Sequence, residues 1–361
     1  MSAVEILRLP EHAHEQTPIG RRFRAVSDLV DRCVEAQFGP GSAHLSHTLA
    51  LRMRRGSDAE AVVTLVALER AVPSGAADIF LPQHESTATA DTMIFVDPDL
   101  PDPRRASLFE SLVEASISHA RSLGRTTFLG GGVAAAEAEI TAATGFGGVH
   151  PDDPESAAWI RRGAVLSQVY RSSQVALDGL SDLGERLRRA SKRSEGYRAV
   201  TWVGQTPAER REDMLRLHER MSTDAPTGDL DLEPESWTDA RLTEFEQHKS
   251  GGERLLLSAA VEHIDSGRLV GYTQMLIGND PVARQHNLIV LREHRGHGLG
   301  MLLKLAGLAL LKDAAPHAER VSTMNAEENR HMIRVNEAVG FSPVAWTAVW
   351  QVKAPGTTME S

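Results

Sequence analysis

The sequence predicts an α/β protein of two tandem halves, each a mixed, mostly antiparallel sheet flanked by helices. Three observations point there. At 361 residues the chain is long for one compact domain and sufficient for two. The stretch from Asn287 to Leu311 reads as a strand, a glycine-rich turn and a helix. The order of elements around it recurs about 195 residues earlier, with Gly145 and Phe146 matching the Gly-Phe stop at Gly340 and Phe341. That period is too long for a solenoid and suits a duplicated domain.

In the first half, Arg24–Phe38 has the apolar spacing of an amphipathic helix, on which Cys33 reads as a small buried hydrophobe. Ala61–Glu69, Ala77–Pro82 and Asp91–Val96 alternate or run apolar as strands, and Ala106–Gly124 has helical spacing. Thr126–Leu129 gives the next strand, Ala136–Phe146 a helix ending at Gly145, and Leu166–Leu177 a closing strand. The linker falls near Asp178–Gly184, dividing the chain into 1–178 and 179–361.

The second half repeats the order with sharper signals. Tyr197–Gly204 is a strand, and Thr206-Pro207 starts a helix that runs to Met221. A loop leads to a second helix over about Ser236–His248. Leu255–Ile264 and Arg268–Gly278 form a hairpin around Asp265, Ser266 and Gly267, and His286–Leu291 completes the meander. After the Asn287–Leu311 unit come a strand at Arg320–Asn325, a helix over about Glu328–Val339 stopped by Gly340, and a closing strand at Thr347–Lys353.

The turn itself is His-Arg-Gly-His-Gly-Leu-Gly, with Arg295, Gly298 and Gly300 spaced Arg-x-x-Gly-x-Gly. Few side chains and a helix start together let backbone N–H groups close on an anion. The glycines do not give the GxGxxG spacing of a dinucleotide site, which argues against that reading. Val321–Phe341 supplies a second motif, in which Asn325, Asn329, Met332 and Asn336 precede Gly340-Phe341. In this order and at this separation, the two motifs resemble those of the GNAT superfamily of acyl-CoA N-acyltransferases. The whole chain resembles the tandem-GNAT, mycothiol-synthase-like arrangement, clearly after about Tyr197 and faintly before it.

The resemblance implies acetyl-CoA as co-substrate. It implies that Arg295, Gly296, His297, Gly298, Leu299 and Gly300 hold the pyrophosphate, and that backbone N–H groups near Ile289, Val290 and Leu291 polarise the acyl carbonyl. Asn325, Asn329 and Met332 would meet the pantetheine arm, although Asn329 equally fits a helix cap. The family's tyrosine acid falls at Asn336, which cannot deliver a proton but could hydrogen-bond the sulfur. Glu262 and His286 are the base candidates, each equally readable as a surface group near a strand end. Asp224, Asp229, Asp231, Glu233 and Glu235 form an acidic loop that would border the acceptor cleft and draw a cationic amine, and Tyr272 could line it. In the first half the matching turn is Asp99-Leu-Pro-Asp-Pro-Arg-Arg-Ala106, whose Pro101 and Pro103 lack N–H donors and whose Asp99 and Asp102 repel phosphate. That half reads as degenerate.

A net charge of −10 argues against nucleic acid as partner. One cysteine allows no internal disulfide, and no apolar run is long enough for a membrane span, so a cytoplasmic protein is expected, monomer or homodimer, without a metal. The functional expectation is acyl transfer from acyl-CoA to the primary amine of a small molecule, catalysed in the second half. The alternative is a non-catalytic coenzyme-A-binding regulatory or scaffold protein.

Overall fold

Runs of apolar and β-branched residues form the strands, several of them buried on both faces, and capped amphipathic segments supply the helices that cover them. The computed structural model describes residues 3–7, 17–39, 46–224, 230, 233–251 and 254–354. The first half runs β1 (Ala3–Leu7), α1 (Pro18–Phe38), α2 (His47–Met53), β2 (Glu60–Glu69), β3 (Val72–Pro82) and β4 (Thr89–Val96). It continues with α3 (Asp102–Ser122), β5 (Thr127–Ala134), the short β6 (Ile140–Thr141) and β7 (Gly148–Val149), α4 (Pro154–Ile160) and β8 (Val165–Ala176). The second half runs α5 (Leu183–Arg193), β9 (Tyr197–Val203), α6 (Arg211–Asp224), α7 (Asp239–Ser250), β10 (Leu255–His263), β11 (Arg268–Ile277) and β12 (Val282–Val290). It ends with α8 (Leu299–Ala314), β13 (Arg320–Ala326), α9 (Arg330–Val339) and β14 (Ser342–Lys353).

Twelve strands form one continuous sheet in the order β1-β2-β3-β4-β5-β14-β8-β13-β12-β11-β10-β9. Only β4–β5 and β12–β13 pair in parallel; the other neighbours are antiparallel. The closing strands are exchanged between the halves. Strand β8, from the first, lies between β13 and β14, and β14, from the second, lies between β5 and β8. The seam carries a buried ion pair: Arg171 on β8 donates to both oxygens of Glu327, at 2.8 and 2.6 Å, and Trp346 Nε1 donates to the same carboxylate at 3.2 Å.

Each half has its own apolar core, one built around Leu302, Leu303 and Met275, the other around Phe128, Trp159 and Trp350. One expected element is absent. Ala136–Phe146 forms no helix; it holds β6 and turns, while the helix of that region is α4, farther along. Asp153 caps α4 by accepting from Glu155 N and Ser156 N, with Pro154 at the first position. The β-branched Ile140 and Thr141 pair instead with Val149 and Gly148.

Candidate active site

Strands β12 and β13 stay paired only as far as Gln285 opposite Thr323, then part. Along the same stretch β12 carries a bulge, with His286 and Asn287 set between the Leu288–Thr273 and Gln285–Met275 pairs. The extra residue turns Gln285 and Asn287 towards different neighbours. Gln285 meets Lys304 of α8, whereas Asn287 donates to the Tyr272 hydroxyl, which is bonded to His218 of α6. The fork opens into a cavity of about 1180 Å³.

In its wall lies the turn before α8. Gly296 and Gly298 have φ of +89° and +73°, in the left-handed region that glycine adopts without strain. Gly298 is the N-cap and offers no side chain to the helix start. Among the described residues, the N–H groups from Gly296 to Gly300 find no acceptor. A Cβ added at Gly300 would meet open space. Unpaired donors at a helix N-terminus beside a cavity form a cradle suited to an anion.

Of the residues expected to hold coenzyme A, Ile289, Val290, Arg295, Gly296, Gly298, Leu299, Gly300, Asn325, Asn329 and Met332 line the cavity. Leu291 and His297 do not: Leu291 N bonds Val270 O, and His297 contributes its carbonyl to Ser194. Arg295 is anchored, its Nε donating to Val290 O at 3.0 Å and its Nη2 lying 3.4 Å from Asp224. Asn329 caps α9 by accepting from Met332 N at 3.2 Å, and it also lines the cavity.

The acid, base and acceptor candidates separate. Asn336 is buried and donates to Asn325 Oδ1 at 2.6 Å, one layer behind the cavity wall. Glu262 is also buried, paired with Arg198 and Arg210 away from the cavity. His286 lines the cavity with its side chain exposed, and the surrounding protein together with the charges of Lys249, Arg254 and Arg284 lowers its pKa, which weakens it as a base. Tyr272 is fully buried, and burial pushes its pKa up. Asp224 reaches the cavity, yet Arg220, Arg292 and Arg295 surround its carboxylate, so its charge is neutralised within the protein. Asp229 and Asp231 lie outside the described residues.

Sequence reasoning missed Lys304, buried in the cavity wall, and the contribution of the first half. Val34 and Phe38 of α1 and Tyr170, Ser172, Ser173 and Gln174 of the exchanged β8 complete the wall. The fork of the first half, where β4 and β5 part after Thr92–Gly130, is filled by protein. Trp159 packs over Gly130 and donates to Gly131 O at 3.0 Å, and Glu155 accepts from Val133 N at 3.0 Å. Cys33 Sγ lies 3.2 Å from Val96 O, and burial, with Asp97 nearby, pushes its thiol pKa up to about 12, which disfavours the thiolate.

Residues 193–341 match the model of the Acetyltransferase (GNAT) family. Among solved structures, a tandem GNAT protein from the clavulanic acid biosynthesis pathway, without acetyl-CoA, is similar at 25% identity and a TM-score of 0.71, over 99% of this chain and 100% of that one. A GCN5-related N-acetyltransferase from Sphaerobacter thermophilus is similar at 15% identity and a TM-score of 0.62, over 99% and 98%. The N-myristoyltransferase of Saccharomyces cerevisiae with bound myristoyl-CoA is similar at 11% identity and a TM-score of 0.56, over 98% and 79%. The last two share the fold alone. No curated protein matches the chain. Residues 193–341 thus match a GNAT domain, and the chain as a whole is similar to a tandem GNAT protein, a fold that supports acyl transfer in general. Among the described residues no group of three or more His, Cys, Asp or Glu could hold a metal ion, and no helix is long and apolar enough to cross a membrane.

Proposed function

We propose that this protein moves an acetyl or other short acyl group from acyl-CoA to a primary amine, at the fork between β12 and β13. The carrying observation is the set of unpaired N–H donors from Gly296 to Gly300 in the wall of the cavity that the fork opens into. Coenzyme A, when bound, presents the acyl group as an activated thioester. The residues of this chain do the rest: the cradle binds the pyrophosphate, Arg292 and Arg295 add positive charge beside it, and Asn325, Asn329 and Met332 flank the arm. Beyond Gln285 the β13-facing edge of β12 is unpaired, which gives a carbonyl oxygen backbone N–H groups to bind. The filled first fork supports placing the reaction in the second half. Asp224 is neutralised by its arginines, and the acceptor amine is received by the cavity wall that both halves build.

Calorimetric titration with acetyl-CoA tests this. One site per chain is expected, with affinity falling about a hundredfold, or roughly 2.8 kcal/mol, in Gly298→Asp and Arg295→Glu. The aspartate would be strained at a φ of +73° and would set a carboxylate in the cradle. Unchanged affinity in both variants would sink the assignment of the cradle. A second reading, a coenzyme-A-binding protein without turnover, draws on Asn336 standing behind the wall and His286 being a weakened base. Tight binding with no thioester cleavage across a panel of amines would favour it.

A further inference from the structure

Lys304 lies one turn into α8, on a helix face otherwise filled by Leu303, Leu308 and Leu311, and is 1% exposed. Its Nζ donates to Gln285 Oε1 at 2.5 Å and stands 5.0 Å from the centroid of the Phe341 ring. The Gln285 amide is held in turn by Thr273 Oγ1 at 2.8 Å. Gln285 and Thr323 are the last pair before the fork opens, and both line the cavity with Lys304. The amine therefore sits at the apex of the fork.

An ammonium has three N–H donors, and here one neutral amide and one aromatic ring are its only partners among the described residues. No carboxylate pairs with it. The other titratable groups of the cavity, including Arg284 and His286 on β12, Asp224 on α6, Tyr170 on β8, His294 in the turn and His331 on α9, make no hydrogen bond or ion pair with it. Burial alone pushes its pKa down to about 7. A leucine or methionine would fill the position without a buried charge, so packing does not explain a lysine there. A cation at the apex is explained by an anion that arises there. In acyl transfer that anion is the leaving thiolate, and Asn336 has no proton to give it.

Building on the acyl-CoA reading above, we propose that Lys304 is the charge partner and proton donor of the coenzyme A thiolate. In the step, the lone pair of the acceptor nitrogen forms the C–N bond and the C–S bond breaks, its electron pair passing to sulfur. The sulfur takes a proton from the Lys304 ammonium. The acceptor nitrogen releases one proton to water, and Lys304 regains one from water, so charge and protons balance. Gln285 acts as a positioning residue, holding Nζ towards the fork.

The test uses the full chain and coenzyme A itself, so it needs no acceptor. Calorimetry first establishes saturation; the rate at which iodoacetamide alkylates bound coenzyme A is then measured at pH 6, where Lys304 holds its proton, in the wild type, Lys304→Met and Lys304→Gln. A nearby ammonium favours the thiolate, so alkylation should be about tenfold faster in the wild type than in either neutral variant, while affinity changes only a few-fold. Equal alkylation rates in all three proteins would overturn the proposal and leave the acyl-CoA reading standing. A chain that binds no coenzyme A would overturn both. Acylation of Lys304 by acetyl-CoA, seen by intact mass and peptide mapping, would overturn it differently, by showing a nucleophile rather than a proton donor.

Discussion

Residues 179–361 produced alone should not yield a folded monomer, whereas residues 162–361 should. The difference is β8. Strand β14 has two neighbours, β5 and β8, and both come from the first half; β13 relies on β8 for its outer edge. Cutting at 179 leaves β14 with no partner and β13 with an open edge, a template for aggregation or for swapping between copies. It also strips Arg171 from Glu327, whose side chain is 4% exposed, and breaking a buried pair on one side costs about 3–5 kcal/mol. Cutting at 162 keeps β14-β8-β13-β12-β11-β10-β9 as an unbroken run of the sheet. Size-exclusion chromatography with circular dichroism would compare the two. A well-folded monomer from 179–361 would show that β14 can return to β13, and that the exchange is not required for folding.

What the sequence revealed and what it hid divide along the range of the interactions. The turn at Arg295 was legible because its demands are local: glycine at positive φ, a helix start, unpaired N–H groups. The exchange of closing strands was not, because β8 and β14 carry similar alternating patterns and nothing along either strand names its neighbour. Ala136–Phe146 failed as a helix for a related reason. The fork it borders is filled from Pro154–Ile160, where Trp159 lies against Gly130, a contact between segments far apart in the chain. Asp224 misled because a carboxylate shows its own charge in the sequence and not the arginines that close on it, although Arg220, four residues before it on one helix, was a visible hint. Lys304 could have been found. Its neighbours three, four and seven residues on, Gly307, Leu308 and Leu311, all read as buried, so the helical period itself puts a lysine on the inner face.

The same lysine should cost the protein stability, and Lys304→Met should recover it. An unfolded lysine keeps its ordinary pKa near 10.5, while the folded one is lowered to about 7. Below about pH 7 both states hold the proton and the full penalty of burying the ammonium is present. Between about 7 and 10.5 the unfolded chain binds the extra proton, so this contribution rises in favour of folding as pH increases, by about 1.4 kcal/mol per unit at most. Above that range the penalty is gone. Denaturant unfolding of the wild type and Lys304→Met at pH 7 and 9 should therefore show the variant more stable by a few kcal/mol at pH 7, with the gap narrowing on the order of 2–3 kcal/mol at pH 9. Every other titrating group is common to both proteins and cancels. A gap that does not move with pH would mean that the ammonium already has solvent or a counter-charge in the folded state. A narrowing gap would instead mark Lys304 as a residue kept at a cost to stability, which is where a proton-handling group at the apex of an acyl-transfer fork is expected to stand.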